Sequence, residues 1–463
     1  MKWICLLLLL VVGCNYSPTG SMGVTVGGAQ DIGYARQIIE SGGVPDSGYI
    51  VAEGIYSEHD IPTPTGECVD QICLALGYGY ATAVDDSSSD LFIQLGMTST
   101  IRPEEFHRPH LQLALVIDHS GSMSGGSMEA VREALHRLVA KLTPEDEISI
   151  VEFDDEATLL MAPQRVTNVA RIDRIIDGIE PDGSTDIEAG LALGYSQIAA
   201  LPDRDGWSKR VMLFTDAMPN IGRTDRESFA VMTQWYADRK IGLTAFGVGI
   251  DFGQELVYHI SKLRGGNFFF LESPDKIRSV FDTEFDYLVT PIAYDVEITV
   301  ATPPGARLKQ CYGLPGWKPG DRNAELHIPT LFLSSRRGAI VLRYEYEAQQ
   351  LASGADLGTA SIRYASLDNA TVDRRLALTH AGGSIAHGDD YYSQEGTRLA
   401  VALTNVYLAL RGACALHAAG SKAEALDLLA RGIAAATHAN TTLNDSGLAR
   451  EIALMQKLSS NIH

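Results

Sequence analysis

The stretch LQLALVIDHSGSM, residues 111–123, decides the fold. Its first part, Leu111–Ile117, is a nearly continuous apolar run. Such a run is typical of a strand that is buried on both faces, as in a parallel sheet covered by helices. The run opens directly into the polar pattern Asp118-His119-Ser120-Gly121-Ser122-Met123. This change of character predicts a polar site at the carboxyl end of a buried strand.

Buried strands alternate with amphipathic helices over residues 111–290. Further apolar runs predict strands at residues 148–153, 210–215, 243–248 and 267–271. The spacing of apolar residues predicts helices at residues 128–142, 170–179, 187–200, 229–236, 255–263 and 277–288. Strands that alternate with helices imply crossover connections, which keep the strands parallel and place helices on both faces. We therefore expect an α/β domain with a doubly wound, mostly parallel, Rossmann-like sheet.

Two other polar segments of this domain are placed like the first. The segment Gly183-Ser184-Thr185-Asp186 precedes a predicted helix, and Asp216 follows the buried strand at 210–215. Ligands of open parallel sheets bind outside the carboxyl ends of the strands. The five candidate metal ligands, which offer only oxygen atoms, are Asp118, Ser120, Ser122, Thr185 and Asp216. An all-oxygen set suits Mg²⁺, with Mn²⁺ or Ca²⁺ as alternatives. A metal held by only two carboxylates has room for an Asp or Glu from a partner protein.

These three segments resemble the metal-ion-dependent adhesion site of von Willebrand factor type A domains, as found in integrins. Asp118, Ser120 and Ser122 match the first motif of that family, Thr185 the second and Asp216 the third. The resemblance implies that a carboxylate of a protein ligand completes the metal coordination. Two positions depart from the family pattern without removing a donor. Ala217 and Ser184 stand where glycine is common.

Signatures of catalysis are missing from the sequence. The segment around Ser120 is not G-x-S-x-G, because Asp118 takes the first glycine position. Neither H-E-x-x-H nor G-x-x-x-x-G-K-[ST] occurs. We therefore predict a binding protein, with no catalytic residues. Two alternatives stay open, a structural scaffold of the cell envelope with metal-independent contacts and a metal-dependent hydrolase that uses the same crevice.

The charge of the chain is strongly acidic and unevenly distributed. The 463 residues carry 37 Lys and Arg against 58 Asp and Glu, a net charge of −21. Residues 15–290 alone hold 42 acidic and 20 basic side chains. Phosphate groups repel such a surface, which argues against nucleic acid as a partner and against unaided binding to anionic membranes. The same field attracts divalent cations.

The start of the chain has the pattern of an export signal. Lys2 precedes an apolar run from Cys5 to Val12, which is too short to span a bilayer. The segment Val11-Val12-Gly13-Cys14 resembles the lipobox of bacterial lipoproteins. This resemblance implies a signal peptide at residues 1–13 and acylation of Cys14. A plain secretory peptide is the alternative. We expect an exported protein of the bacterial cell envelope, anchored in a membrane by its lipid. The residue after the cysteine is Asn15. An Asp at this position would resemble an inner-membrane retention signal, so Asn15 favours the outer membrane.

The remaining segments predict a chain of several domains. Residues 14–30, with the lipidated Cys14, are expected to form a flexible tether, and residues 31–110 are expected to form an acidic N-terminal domain. After the α/β domain, we expect a small β domain at residues 291–390 and a segment of two or three helices at residues 391–463. Strands are predicted near 49–51 and 91–95, and a solvated turn at 85–90. A weaker resemblance to bacterial lipoproteins with a type A domain in mid-chain suggests that the flanking segments pack together around it.

Four cysteines follow Cys14. Cys68 and Cys73 flank a short loop, and an exported compartment permits a disulfide between them. A metal or redox pair is the alternative, although the spacing is not C-x-x-C. The sequence leaves the state of Cys311 and Cys414 undecided.

Overall fold

The computed structural model describes residues 22–66, 68–216, 226–249, 263–314, 317, 323–347, 351–365, 371–383 and 390–463. The predicted signal peptide, the lipobox and Cys14 lie outside the described residues. So do Ala217, at the third motif, and nearly all of the helix predicted at 255–263.

The central sheet of the predicted α/β domain is present. It contains seven described strands, with the spatial order β2-β10-β9-β8-β5-β6-β7. Their bounds are β2 Gly28–Ala29, β5 His110–Asp118, β6 Glu147–Phe153, β7 Ala157–Arg165, β8 Trp207–Thr215, β9 Ile241–Gly247 and β10 Gly266–Phe270. All neighbours pair in parallel except β6 and β7, which are antiparallel. The doubly wound, mostly parallel sheet is thus confirmed.

Helices cover both faces of this sheet because β5 is apolar on both sides. Leu113, Leu115 and Ile117 belong to one core cluster, whereas Ala114 and Val116 belong to another. The first cluster also contains residues of α3 (Gly126–Lys141) and α4 (Val169–Asp177), and the second contains residues of α5 (Ile187–Ala199). The predicted helix at 229–236 is α6 (Arg226–Ala237). The closing helix begins as α7 (Pro274–Arg278), passes through a π-helical turn at Ser279–Glu284 and ends as α8 (Phe285–Leu288).

A second, antiparallel sheet unites segments that the sequence assigned to two domains. Ten described strands belong to it. Their bounds are β1 Gly23–Val26, β3 Ile72–Thr82, β4 Ser89–Ser99, β11 Pro291–Val300, β12 Arg307–Tyr312, β13 Ala324–Ser334, β14 Ala339–Glu345, β15 Asp356–Ala365, β16 Thr371–Thr379 and β17 Tyr391–Tyr392. Residues 91–96 of β4 pair with residues 339–344 of β14. Separate domains at 31–110 and 291–390 are therefore wrong, since the apolar hairpin β3–β4 obtains its backbone partners and its core from the later strands.

The prediction of a flexible tether at residues 14–30 is also wrong for residues 22–30, the part of it that the structure describes. Strand β1 pairs with β13, and Val24 is completely buried. Strand β2 adds to the edge of the α/β sheet beside β10. A short glycine-rich segment resembles a linker in sequence, but backbone groups pair with a strand edge whatever side chains they carry.

A smaller prediction in the N-terminal segment, the strand near 49–51, also differs from the structure. Residues Ser47–Tyr49 form a 3₁₀ turn instead of a strand, because the side chain of Asp46 accepts a hydrogen bond from the Gly48 N–H. Two helices flank the turn, α1 (Gly33–Glu40) and α2 (Ala52–Ser57). The predicted strand near 91–95 lies within β4.

The predicted solvated turn at residues 85–90 leaves Asp85, Asp86 and Ser87 exposed, but its carboxylates also belong to an ion cluster. Arg343, which is 2% exposed, donates to the carboxylates of Asp85, Asp86 and Asp90 at 2.5–2.9 Å. Lys309 reaches Asp86 at 2.7 Å and Asp90 at 2.9 Å. The sequence could not reveal these partners, because they lie more than 200 residues away on β12 and β14.

The predicted helical segment, expected to hold two or three helices, has three: α9 (Glu395–Ala418), α10 (Lys422–Leu443) and α11 (Ser446–Asn461). Among the described residues, α9 is long and apolar enough to cross a membrane. However, 67% of its most apolar 18-residue stretch is buried inside the protein. Its polar residues serve the fold. Asn405 bonds the Val84 N–H and the Thr82 carbonyl, and Arg411 donates to backbone carbonyls beside α2. These contacts indicate a core helix.

Cys68 and Cys73 are joined in a disulfide, with their Cα atoms 5.2 Å apart. Cys311 and Cys414 are buried and carry no disulfide. Burial raises the pKa of both thiols.

Candidate functional site

The carboxyl ends of two neighbouring strands bring the predicted carboxylates to one edge of the α/β sheet. Strand β5 ends at Asp118, and Asp216 directly follows the end of β8. The two strands pair in parallel, with Ile117 opposite Phe214. Asp118 is completely buried and Asp216 is 4% exposed. Two acids thus lie together at a buried edge, as the sequence predicted.

Asp118 is fixed by hydrogen bonds from two sides. Its Oδ1 accepts from the Ser120 N–H at 3.0 Å, and its Oδ2 accepts from the Thr215 hydroxyl at 2.6 Å. Burial raises the pKa of Asp118 to about 6; the charge of Asp216 also raises it, whereas the bonds from Thr215 and Ser120 oppose the shift. The buried Asp118 carboxyl is therefore harder to ionise than an exposed one, and a nearby positive charge would favour its ionised form.

Thr215 was missed by the sequence analysis. It is completely buried as the last residue of β8, next to Asp216. The signal available in the sequence was a hydroxyl residue at the end of a buried strand, immediately before a candidate ligand.

The first motif forms a tight loop after β5. Ser120 is 1% exposed and Ser122 is exposed. Their Oγ atoms lie 3.1 Å apart. Residues Gly121–Met123 form a 3₁₀ turn, which begins immediately after Ser120. This short spacing turns alternate side chains toward the same point.

The second motif is bonded to the first through the backbone. The Gly121 N–H donates to the Gly183 carbonyl at 3.1 Å, and the Asp182 N–H donates to the His119 carbonyl at 2.7 Å. Thr185 follows and is 1% exposed. Gly183 has φ of 71°, a conformation that favours glycine. These contacts hold the hydroxyl of Thr185 in the loop that packs against the first motif.

An acidic turn after β6 supports the second motif, a contact that the sequence did not reveal. The Asp155 side chain accepts from the Ser184 N–H at 2.7 Å, and the Asp154 carbonyl accepts from the Asp186 N–H at 2.7 Å. A signal for this contact was available in the sequence, because the turn follows β6, which pairs in parallel with β5. Asp186 has its own structural role, because its side chain caps α5 at the Ala189 N–H.

His119 ties the same loops together. Its Nδ1 lies 2.9 Å from the Glu180 carbonyl, and its Nε2 lies 3.7 Å from the Asp154 carboxylate. Both ring nitrogens thus face protein groups of the two adjacent loops.

Comparison with known proteins identifies the class of this domain. The family model described as von Willebrand factor type A domain matches residues 113–218. The chain therefore contains a von Willebrand factor type A domain, and the match spans all three polar segments.

Particular relatives extend this result. The chain is 30% identical over 171 residues to the uncharacterized protein sll0103 of Synechocystis sp., an alignment that covers 37% of this chain and 40% of that protein. It is 28% identical over 194 residues to the uncharacterized protein YfbK of Escherichia coli, covering 42% of this chain and 34% of that protein. The chain thus spans less than half the length of these two relatives.

A solved structure, von Willebrand factor type A from Catenulispora acidiphila, has a TM-score of 0.53 at 15% identity and covers 82% of this chain and 89% of that chain. This likeness concerns the fold, and it extends well beyond the α/β domain.

Proposed function

We propose that this chain is a lipid-anchored protein of the bacterial cell envelope whose type A domain binds a divalent cation and, through it, a carboxylate of a partner protein. The observation that carries the proposal is the meeting of the three polar segments at one sheet edge. The first two are joined by backbone hydrogen bonds, and the first and third are joined by the bond from Thr215 to Asp118.

The donor set fits a hard cation. Cis ligands of an octahedral Mg²⁺ lie about 2.9 Å apart when the metal–oxygen distance is ~2.0–2.1 Å. The Oγ atoms of Ser120 and Ser122 are 3.1 Å apart, close to that spacing. The residues that would hold the metal are Asp118, Ser120, Ser122, Thr185 and Asp216. When bound, the cation supplies a positive charge that attracts an incoming carboxylate. The chain itself orients the hydroxyls and keeps Asp118 in place.

A direct metal-binding measurement tests the first half of the proposal. We expect calorimetry with Mg²⁺ or Mn²⁺ to give one site in the full chain, and at least a tenfold loss of affinity in Asp118→Asn, because one charged ligand becomes neutral. Glu424→Gln, an exposed acid on α10, is the matched control and should bind as the parent chain does. Equal affinity in Asp118→Asn and Glu424→Gln would contradict a metal site at these residues.

A pull-down from cell-envelope material tests the second half. We expect partners to be recovered with the parent chain in Mg²⁺ and to be lost in EDTA or with Asp118→Asn. Equal recovery of partners in EDTA and in Mg²⁺ would contradict the metal-bridged mechanism and favour the scaffold alternative. That alternative has one supporting observation, since most of the chain outside the type A domain forms one extensive sheet with helices packed on it.

The lipid anchor is tested separately. Metabolic labelling with a radioactive fatty acid should label the parent chain, and Cys14→Ser should abolish the label. Membrane fractionation then shows whether the labelled protein reaches the outer membrane, which Asn15 favours.

A further inference from the structure

A cleft of about 690 Å³ lies where five parts of the chain meet, away from the predicted metal ligands. Its walls come from α1, from Glu58 just after α2, from residues 272–279, from the loop between β13 and β14, and from α11. Clefts of ~300–1,000 Å³ at such junctions are the usual places for small ligands.

The charges of this cleft are balanced, unlike those of the chain as a whole. Its lining contains four basic and four acidic side chains: Arg36, Lys276, Arg336, Arg450, Glu40, Glu58, Glu272 and Asp275. Half of them have ion-pair partners. Arg36 binds Glu58, Lys276 binds Asp31 at 2.8 Å, and Asp275 binds Arg278.

The other half consists of two acids and two bases, which make no ion pair with any described residue. They are Glu40, Glu272, Arg336 and Arg450. Arg336 makes only a long side-chain hydrogen bond, 3.4 Å to the Ser57 carbonyl. Charges of both signs thus line one cleft; of these four side chains, Glu272 is also attracted by the nearby Lys276.

We infer that this cleft binds a short peptide that carries both an ammonium or guanidinium group and a carboxylate group. The basic group of the ligand pairs with Glu40 or Glu272, and its carboxylate pairs with Arg336 or Arg450. A ligand of one sign would leave the opposite pair of protein charges without a partner, so the cleft selects for ligands that carry both. This site is independent of the proposed metal site.

Calorimetry on the full chain with three tripeptides tests the inference. The first is Lys-Ala-Glu, the second Lys-Ala-Gln with an amidated C-terminus, and the third acetylated Gln-Ala-Glu. We expect saturable binding of the first and at least tenfold weaker binding of the other two, in Mg²⁺ and in EDTA alike. The EDTA arm separates this site from the proposed metal site, because failure of either leaves the other unaffected.

Variants locate the binding. Glu40→Gln and Arg450→Gln should each weaken binding of Lys-Ala-Glu at least fivefold. Both side chains are exposed, so these variants should fold, and thermal unfolding checks this. Lys457→Gln is the matched control, since Lys457 lies on the same helix as Arg450 but outside the cleft. Absence of binding by the parent chain at millimolar peptide, or equal binding by Arg450→Gln and Lys457→Gln, would overturn the inference.

Discussion

At the scale of single residues, Arg343 decides what the acidic turn at 85–90 is. Three aspartates within six positions indicate a solvated turn or a calcium loop when they are seen in the sequence alone. In the fold, the guanidinium of Arg343 donates to all three carboxylates, and Asp90 is 1% exposed beside it. The turn is therefore a structural ion cluster.

This cluster gives a prediction about stability. Arg343→Met should lower the free energy of unfolding by up to about 3–5 kcal/mol, because the buried Asp90 loses one of its two cationic partners and keeps Lys309. Urea unfolding followed by circular dichroism measures the change. The control is Arg307→Met, which removes an exposed pair with Glu345 and should cost no more than about 1 kcal/mol. Similar losses in the two variants would contradict the role given to Arg343.

At the scale of elements, a buried ion network fastens α11 to the N-terminal helices. Glu451 on α11 lies 2.7 Å from Arg36 of α1 and 3.1 Å from His59, just after α2. Burial alone would raise the pKa of Glu451, but Arg36 and His59 lower it to about 2. The ionised carboxylate is thus stabilised by folding. The network joins segments that lie more than 390 residues apart in the sequence.

The network predicts a pH dependence of stability. A carboxyl group whose pKa is lower in the folded state stabilises the fold above its unfolded pKa, near 4.5, and this contribution disappears as the pH falls toward 2. The free energy of unfolding should therefore fall between pH 5 and pH 3 more steeply in the parent chain than in Glu451→Gln. Denaturant titrations at fixed pH values give both curves. Parallel curves would show that Glu451 does not titrate in this way.

At the scale of the whole molecule, the type A domain depends on the chain that precedes it. Strand β2 extends its sheet beside β10, and the side chain of Asp31 accepts from the Phe270 N–H at 3.2 Å and from Lys276 at 2.8 Å. Removal of these residues leaves a bare strand edge and an unpaired, largely buried lysine.

This dependence predicts the behaviour of an isolated fragment. Residues 110–290 expressed alone should unfold at a lower temperature than the full chain and should self-associate, because β10 offers free backbone groups. Differential scanning calorimetry and sedimentation velocity measure the two effects. In the full chain, Asp31→Asn should lower the unfolding temperature without causing association. A monomeric fragment as stable as the full chain would refute the dependence.

By itself, the sequence determined the α/β fold and the polar residues at its strand ends, which are the residues proposed to bind a metal. The buried run at 111–117 and the polar residues at strand ends are local patterns, and parallel strands bring their carboxyl ends together wherever such patterns recur. Thr215 and the support from Asp155 were missed because their importance depends on which strands are neighbours.

Only the tertiary structure decided how the rest of the chain is organised. Strands β1 and β4 obtain their partners from β13 and β14, and the charges at 85–90 obtain theirs from Lys309 and Arg343. Pairing of backbone edges and neutralisation of buried charge act between groups that are close in space. Their sequence separation of more than 200 residues left no local pattern from which these contacts could be predicted.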